Sequence, residues 1–260
     1  MKVFILGDLE GTAGVVDFKS QTYSDAKYYE QTKRLAILEI NALIDGVIAG
    51  GATEIWFLDG HGPGGIDYEL MHAEAKMVIG RPISAPWGLD PTFDAMLLYG
   101  HHSMSNTNCG VLCHSWSSRT IDNCWLNGKL IGEIGLNISL AGELEVPTIF
   151  VSGDNTAIAE AKEYVPDIAS VETKVGLSQT SALSISPLKS QQLHREVGEI
   201  AMRLIGQIKP YYTQPPYTFK TQLLEATGLK SKAHQSHVEI VNDRTYQVRG
   251  QTLVEVASKR

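Results

Sequence analysis

Cysteine is scarce in this 260-residue chain, which holds only Cys109, Cys113 and Cys124. So small and odd a set cannot build the dense disulfide framework of a small secreted domain. It suits a reducing compartment, and the cytoplasm is the expected location. Long apolar runs are also missing. None approaches the roughly 20 residues needed to cross a bilayer, so no membrane span is expected. The apolar start Val3-Phe4-Ile5-Leu6 stops at Gly7-Asp8. That is short of the about 7–15 residues of a signal-peptide core, and it reads as a first strand. Positive charge is sparse: lysine and arginine are scattered and the net charge is −7. A nucleic-acid binder normally carries a basic stripe, so no such partner is expected.

What is present alternates between strand and helix signals. Short apolar runs predict strands at Val3–Leu6, Ile55–Leu58, Lys76–Ile79, Ala95–Tyr99, Gly110–Cys113 and Thr148–Val151. Ser24 is a candidate cap for a helix from Asp25 to about Ala49, closed by Gly50-Gly51. Further helices are expected from Glu133 to just before Val146-Pro147, over Ala157–Tyr164 behind Asp154 as N-cap, and from Pro187 to Ile208. This pattern predicts an α/β fold whose mostly parallel sheet is flanked by helices. Pro210 and Pro215-Pro216 then break the chain. The expected division is an α/β domain over 1–208 and a C-terminal α+β elaboration over 209–260, with a single elaborated domain as the alternative.

The chemistry lies in where the polar residues fall. Asp8 and Glu10 follow the first strand, His61 the second, His102 the Ala95–Tyr99 strand and His114 the Gly110–Cys113 run, while Glu133 opens a helix. Ligands and catalytic groups gather beyond the carboxyl ends of strands in open α/β sheets. Carboxylates bridge cations and imidazoles suit zinc. Asp8, Glu10, His61, His102 and Glu133 together would hold two divalent ions about 3.5–4 Å apart with an activated water. Taken singly, each has a plainer reading: a turn after a strand, an exposed imidazole in a glycine loop, one packing histidine of the His101-His102 pair, or a helix-start carboxylate favoured by the macrodipole.

Rival motifs fare worse. No G-x-S-x-G elbow accompanies His114-Ser115. Gly60-His61-Gly62-Pro63-Gly64-Gly65 lacks the Lys-Ser/Thr of a phosphate loop. Cys113 and His114, adjacent on a predicted strand, would point to opposite faces. Cys109 and Cys113 match neither a Cys-x-x-Cys redox pair nor a zinc knuckle. His234 and His237 border the strand-like Val238–Val241 run, and they read as surface residues, as do His72 and His194.

Through Asp8-x-Glu10-Gly11, Asp59-Gly60-His61, Gly100-His101-His102, His114-Ser115 and Gly132-Glu133-x-Gly135-Leu136-Asn137, the chain resembles the zinc-dependent, self-compartmentalising D-aminopeptidases of bacterial dipeptide-transport operons. The likeness runs over roughly the first 190 residues and fades beyond about Pro210. It implies two zinc ions per chain, held by Asp8, Glu10, His61, His102 and Glu133, with Asp8 bridging. It also implies that His114 is catalytic, described in the family as a nucleophile. An acid/base role fits the chemistry better, since water activated by metal is already a nucleophile. A homodecamer of two stacked five-membered rings is further implied, as is release of N-terminal D-amino acids from short peptides and amides. The family pattern begins Ser-x-Asp-x-Glu-Gly, whereas Leu6 stands at the serine position here. The expected activity is therefore that of a metallo-aminopeptidase. Two alternatives are a metal-dependent amidohydrolase acting on a non-peptide amide or lactam, and a catalytically silent ring-forming scaffold.

Overall fold

The computed structural model describes residues 1–80, 82–232 and 234–259. Its strands are β1 Lys2–Gly7, β2 Glu54–Asp59, β3 Ala75–Val78, β4 Ala95–His101, β5 Ile121–Leu126, β6 Lys129–Leu130, β7 Thr148–Asp154, β8 Ala169–Ser178, β9 Ser181–Ser184, β10 Tyr217–Leu223, β11 Val238–Asn242 and β12 Thr245–Gly250. Its α-helices are α1 Tyr29–Ala49, α2 Glu133–Glu143, α3 Asn155–Tyr164, α4 Pro187–Met202 and α5 Leu253–Lys259. The first sheet runs β3-β2-β1-β4-β7-β8-β9. It is parallel except for the β8–β9 hairpin at its edge. The expected fold class is borne out.

Alternation along β1 explains the layering. Val3 and Ile5 face one core, with Ile37, Ile40 and Leu43 of α1, and α4 packs its Leu193 and Val197 against it. Phe4 and Leu6 face the other, with Ile134 and Ile138 of α2 and Ile158 of α3. Successive strand residues point to opposite faces, so an apolar run with no polar member fits only a strand covered on both sides.

The second sheet runs β11-β12-β10-β5-β6, and β10 pairs antiparallel with β5, so the segment beyond residue 208 is stitched to chain that precedes it. Leu136 of α2 joins Leu126, Phe219 and Val248 in the core beneath this sheet. With sheets on both sides, every residue of α2 from Ile134 to Gly142 is buried. At Gly142 a Cβ would fall 1.6 Å from the Tyr211 carbonyl oxygen, so only glycine fits that approach.

Three local expectations are corrected. Gly110–Cys113 is a chain of turns: Cys109 and Leu112 have φ of +57° and +54°, and Val111 N–H donates to the Asp154 carboxylate at 2.9 Å. Helix α1 starts at Tyr29, because residues 18–22 form a separate turn closed by the Asp17 side chain and Tyr28 N–H donates back to the Ser20 carbonyl. Helix α4 ends at Met202, short of Ile208. Asp154 does cap α3, accepting from Ala157 N–H at 2.9 Å. Among the described residues no helix is long and apolar enough to cross a membrane.

Candidate metal centre

Strand ends position the site. β1 stops at Gly7, just before Asp8; β2 stops at Asp59, two residues before His61; β4 stops at His101, one before His102; and Glu133 opens α2. Two glycines let these ends converge. A Cβ on Gly11 would lie 2.3 Å from the Gly100 carbonyl carbon, and one on Gly100 (φ +68°) would lie 2.3 Å from the Asp8 carbonyl oxygen. With no side chain there, Gly11 N–H donates to the Gly100 carbonyl at 2.6 Å, and Asp8 N–H to the Tyr99 carbonyl at 2.8 Å.

All six sequence-predicted residues come together. Asp8 is central: Oδ1 lies 3.3 Å from His61 Nδ1, and Oδ2 lies 3.4 Å from His102 Nε2. Glu10 Oε2 is 3.2 Å from the same His61 nitrogen, and Glu133 Oε1 is 3.5 Å from the same His102 nitrogen. Two groups result, Asp8–Glu10–His61 and His102–His114–Glu133, each with its donor atoms within 4.8 Å of one another.

The outer edges of both imidazoles are tied. His61 Nε2–H donates to the Thr22 carbonyl at 2.9 Å, and His102 Nδ1–H to the Ser103 carbonyl at 3.0 Å. In that tautomer each ring turns a lone pair toward two carboxylate oxygens. His102 Nε2 is buried without a hydrogen-bond partner. Acceptors facing acceptors in a buried site need a positive charge between them, either a proton or a metal cation. Burial opposes charge on His61 and His102. It is overridden by Glu10 and Asp8 at the first, and by Asp8 and Glu133 at the second, so both imidazoles are held well above their usual range. Burial likewise opposes ionisation of Asp8 and Glu133. His102 and His61 nevertheless hold Asp8 well below the usual range, and His102 brings Glu133 down to about 2. Three carboxylates with two imidazoles suit zinc-class cations, and Asp8, with one oxygen toward each group, fits a bridge.

His114 differs. Its ring stacks on His102 with centroids 3.8 Å apart and planes 17° from parallel. An imidazole binds a cation in its own plane, and two stacked rings share no such point. His114 therefore lies beside any cation that His102 holds. Its Nδ1–H donates to the Leu112 carbonyl at 2.9 Å, which leaves Nε2 for proton transfer. Burial, reinforced by His102, keeps its pKa below the usual histidine value. His101, by contrast, is turned away, with Nδ1–H donating to the Tyr99 carbonyl at 3.1 Å.

Several supporting residues had no motif to mark them. Lys174 is 1 % exposed, and its ammonium donates to the carbonyls of Glu10, Thr12 and Val15 at 2.6, 2.7 and 2.6 Å. Glu39, fully buried, accepts from Ala13 N–H at 3.2 Å and Tyr99 O–H at 2.9 Å. These fix the segment that carries Glu10. Asp59 accepts from the N–H groups of His61 at 3.2 Å and Gly65 at 2.7 Å, which shapes the glycine loop. Its place in Asp59-Gly60-His61 was the available signal. His194, expected at the surface, is fully buried against Tyr99 and Phe150 and donates to the Ser190 carbonyl at 2.8 Å. His234 and His237 are exposed.

Two clefts open on the centre. One, of about 250 Å³, has an apolar wall of Leu6, Ile83, Trp87 and Trp116 facing Asp8 and Glu133. The other, of about 310 Å³, runs from His61 and His114 to Tyr23, Ser117 and Arg119. Trp116 lines both; its φ is +56°, and its backbone N–H donates to Glu133 Oε1 at 2.7 Å. Its ring packs edge-on against Phe219 of β10 at 5.4 Å, so the second sheet buttresses the site.

The sequence model of the D-aminopeptidase family matches residues 1–259. A D-aminopeptidase of Bacillus subtilis (strain 168) is 31% identical over 215 residues, covering 81% of this chain and 77% of its own length. The solved structure of the Zn-dependent D-aminopeptidase DppA from Bacillus subtilis, described as a self-compartmentalizing protease, superposes with a TM-score of 0.93 at 26% identity. That match covers 100% of this chain and 95% of that one.

Proposed function

The chain belongs to the D-aminopeptidase family, and from that premise we propose that it is a zinc aminopeptidase releasing N-terminal D-residues from short peptides or amides. One observation carries the metal assignment. His61 and His102 are each tethered through one ring nitrogen and aim the other at paired carboxylates around Asp8. Asp8, Glu10, His61, His102 and Glu133 would hold two zinc ions. When bound, these supply Lewis acidity toward the scissile carbonyl and activate the water that attacks it.

The protein's own groups do the rest. His114 is neutral at pH 7, since burial and His102 keep its pKa below the usual value. Its Nε2 is free to take a proton from the attacking water, and it returns that proton to the departing amine. The first cleft receives the side chain of the amino-terminal residue against its wall of Leu6, Ile83, Trp87 and Trp116, in which Leu6 stands at the position of the family's serine. The second cleft receives the remainder of the peptide.

For assembly we propose a closed homodecamer of two stacked rings. Leu177 and Leu183 on the β8–β9 edge hairpin are 64 % and 70 % exposed, an apolar edge of the kind that intersubunit contacts cover. Cytoplasmic location is proposed alongside, in keeping with three free cysteines.

Hydrolysis of paired L- and D-amino-acid amides and dipeptides, with metal content measured on the same preparation, tests the reading. D-selective cleavage that N-acetylation abolishes is the expected result. Cleavage of N-acetylated substrates at full rate would favour a non-peptide amide or lactam as substrate. No cleavage and no metal would leave only the ring-forming scaffold.

A further inference from the structure

The second cleft is lined by the candidate metal ligands Asp8, Glu10, His61 and Glu133 and, among the described residues, by a single Lys or Arg, Arg119. That guanidinium lies over the Tyr23 ring, 3.9 Å from the centroid. Tyr23 is itself fixed: its hydroxyl bonds the Ser118 hydroxyl at 3.1 Å, and its ring stacks on Phe18 at 5.7 Å. Phe18 in turn meets the His114 ring edge-on at 5.5 Å. A continuous row of rings therefore links the Arg119 platform to the catalytic histidine. No Asp or Glu of the described residues pairs with Arg119, so its forked donors remain open to the cleft.

We propose that Arg119 is the anchor for the terminal carboxylate of the substrate, making short peptides with a free carboxyl end the preferred class over amides and longer chains. This rests on the aminopeptidase reading above. A short peptide carries its carboxylate at the end remote from the bond to be cleaved, and Arg119 is the one Lys or Arg lining this cleft among the described residues. A guanidinium held on an aromatic face is pre-organised for bidentate recognition of a carboxylate. The volume of about 310 Å³ lies at the small end of ligand pockets, a size that suits a short peptide.

The test compares a D-aminoacyl dipeptide with its carboxyl-terminal amide on the zinc-loaded protein. Wild type should show a KM about tenfold lower for the free acid, the usual worth of one charge-assisted contact. Arg119→Gln should raise KM for the acid and shrink the acid-to-amide ratio to within about twofold, with kcat for the acid little altered. Arg119→Lys should restore part of the ratio, since a point charge replaces the fork. Because Arg119 is exposed, the variants should melt with wild type. An unchanged ratio in Arg119→Gln, or no acid preference in wild type, would overturn the anchor while leaving the aminopeptidase reading intact. Failure of wild type to cleave either substrate would overturn both.

Discussion

Replacing Lys174 with methionine removes a buried ammonium while keeping the length of its aliphatic stem. Three carbonyls, those of Glu10, Thr12 and Val15, lose donors at 2.6, 2.7 and 2.6 Å. The Thr12 carbonyl keeps Val15 N–H as a donor at 3.2 Å, so two buried acceptors are left unpaired, at roughly 1–3 kcal/mol each or about 2–6 kcal/mol together. Part of that is offset because methionine needs no desolvation. Burial pulls the Lys174 pKa down to about 8 from an ordinary 10.5, a penalty of roughly 3 kcal/mol at about 1.36 kcal/mol per tenfold change in acidity. The net loss should be up to about 3 kcal/mol, a sizeable share of the roughly 5–15 kcal/mol that holds a typical domain folded. Because the freed segment carries Glu10, zinc affinity should fall by about 10–100-fold in the fraction that folds. Urea unfolding gives the first quantity and competitive chelator titration the second. A variant within about 0.5 kcal/mol of wild type, with unchanged zinc affinity, would refute the role assigned to this lysine.

Glu10→Ala and His102→Ala should each lose metal and activity together, as elemental analysis and turnover on one sample will show; full activity in either would mean the wrong ligands. His114→Ala should keep its metal but lose about 10²–10⁴-fold in turnover, and a rate within about threefold of wild type would remove it from the mechanism. Burial pushes Glu160 up to about 7, above its unfolded value of about 4.3. Between those values the unfolded chain is ionised while the folded one holds the proton, so stability present at low pH is lost as pH rises toward 7. Glu160→Gln should therefore be more stable than wild type by about 1–3 kcal/mol at pH 8 and by less at pH 5; a melting-temperature difference independent of pH would contradict this.

Much of the architecture was legible because the chain repeats a simple signal. Val3–Leu6 and Ile55–Leu58 are apolar without interruption, which suits strands covered on both faces, and Asp154 announced its helix through capping chemistry. The rim also followed from sequence. Asp8, Glu10, His61 and His102 sit just past strand ends, and parallel strands deliver all their carboxyl ends to one side.

Other features depend on partners far away in the chain, and no local pattern encodes them. Gly110–Cys113 has the composition of a strand, yet Asp154 and the Gln179 carbonyl take its N–H groups, so it turns and brings His114 onto His102. His194 carries no motif, and only the packing of α4 against the sheet buries it beside Tyr99 and Phe150. Lys174 reads in sequence as an ordinary strand lysine. Its role exists only because β8 passes close to the segment after β1, where its ammonium reaches three carbonyls at once. The second sheet joins 121–130 to 217–250, and through Phe219 it sets the Trp116 ring that walls both clefts. Sequence periodicity and capping fix the elements and their polar ends, because those depend on neighbours within a few residues. Tautomer, ring stacking, the placing of the carboxylates and the lining of a cleft depend on atoms brought together across the chain, and only tertiary structure decides them.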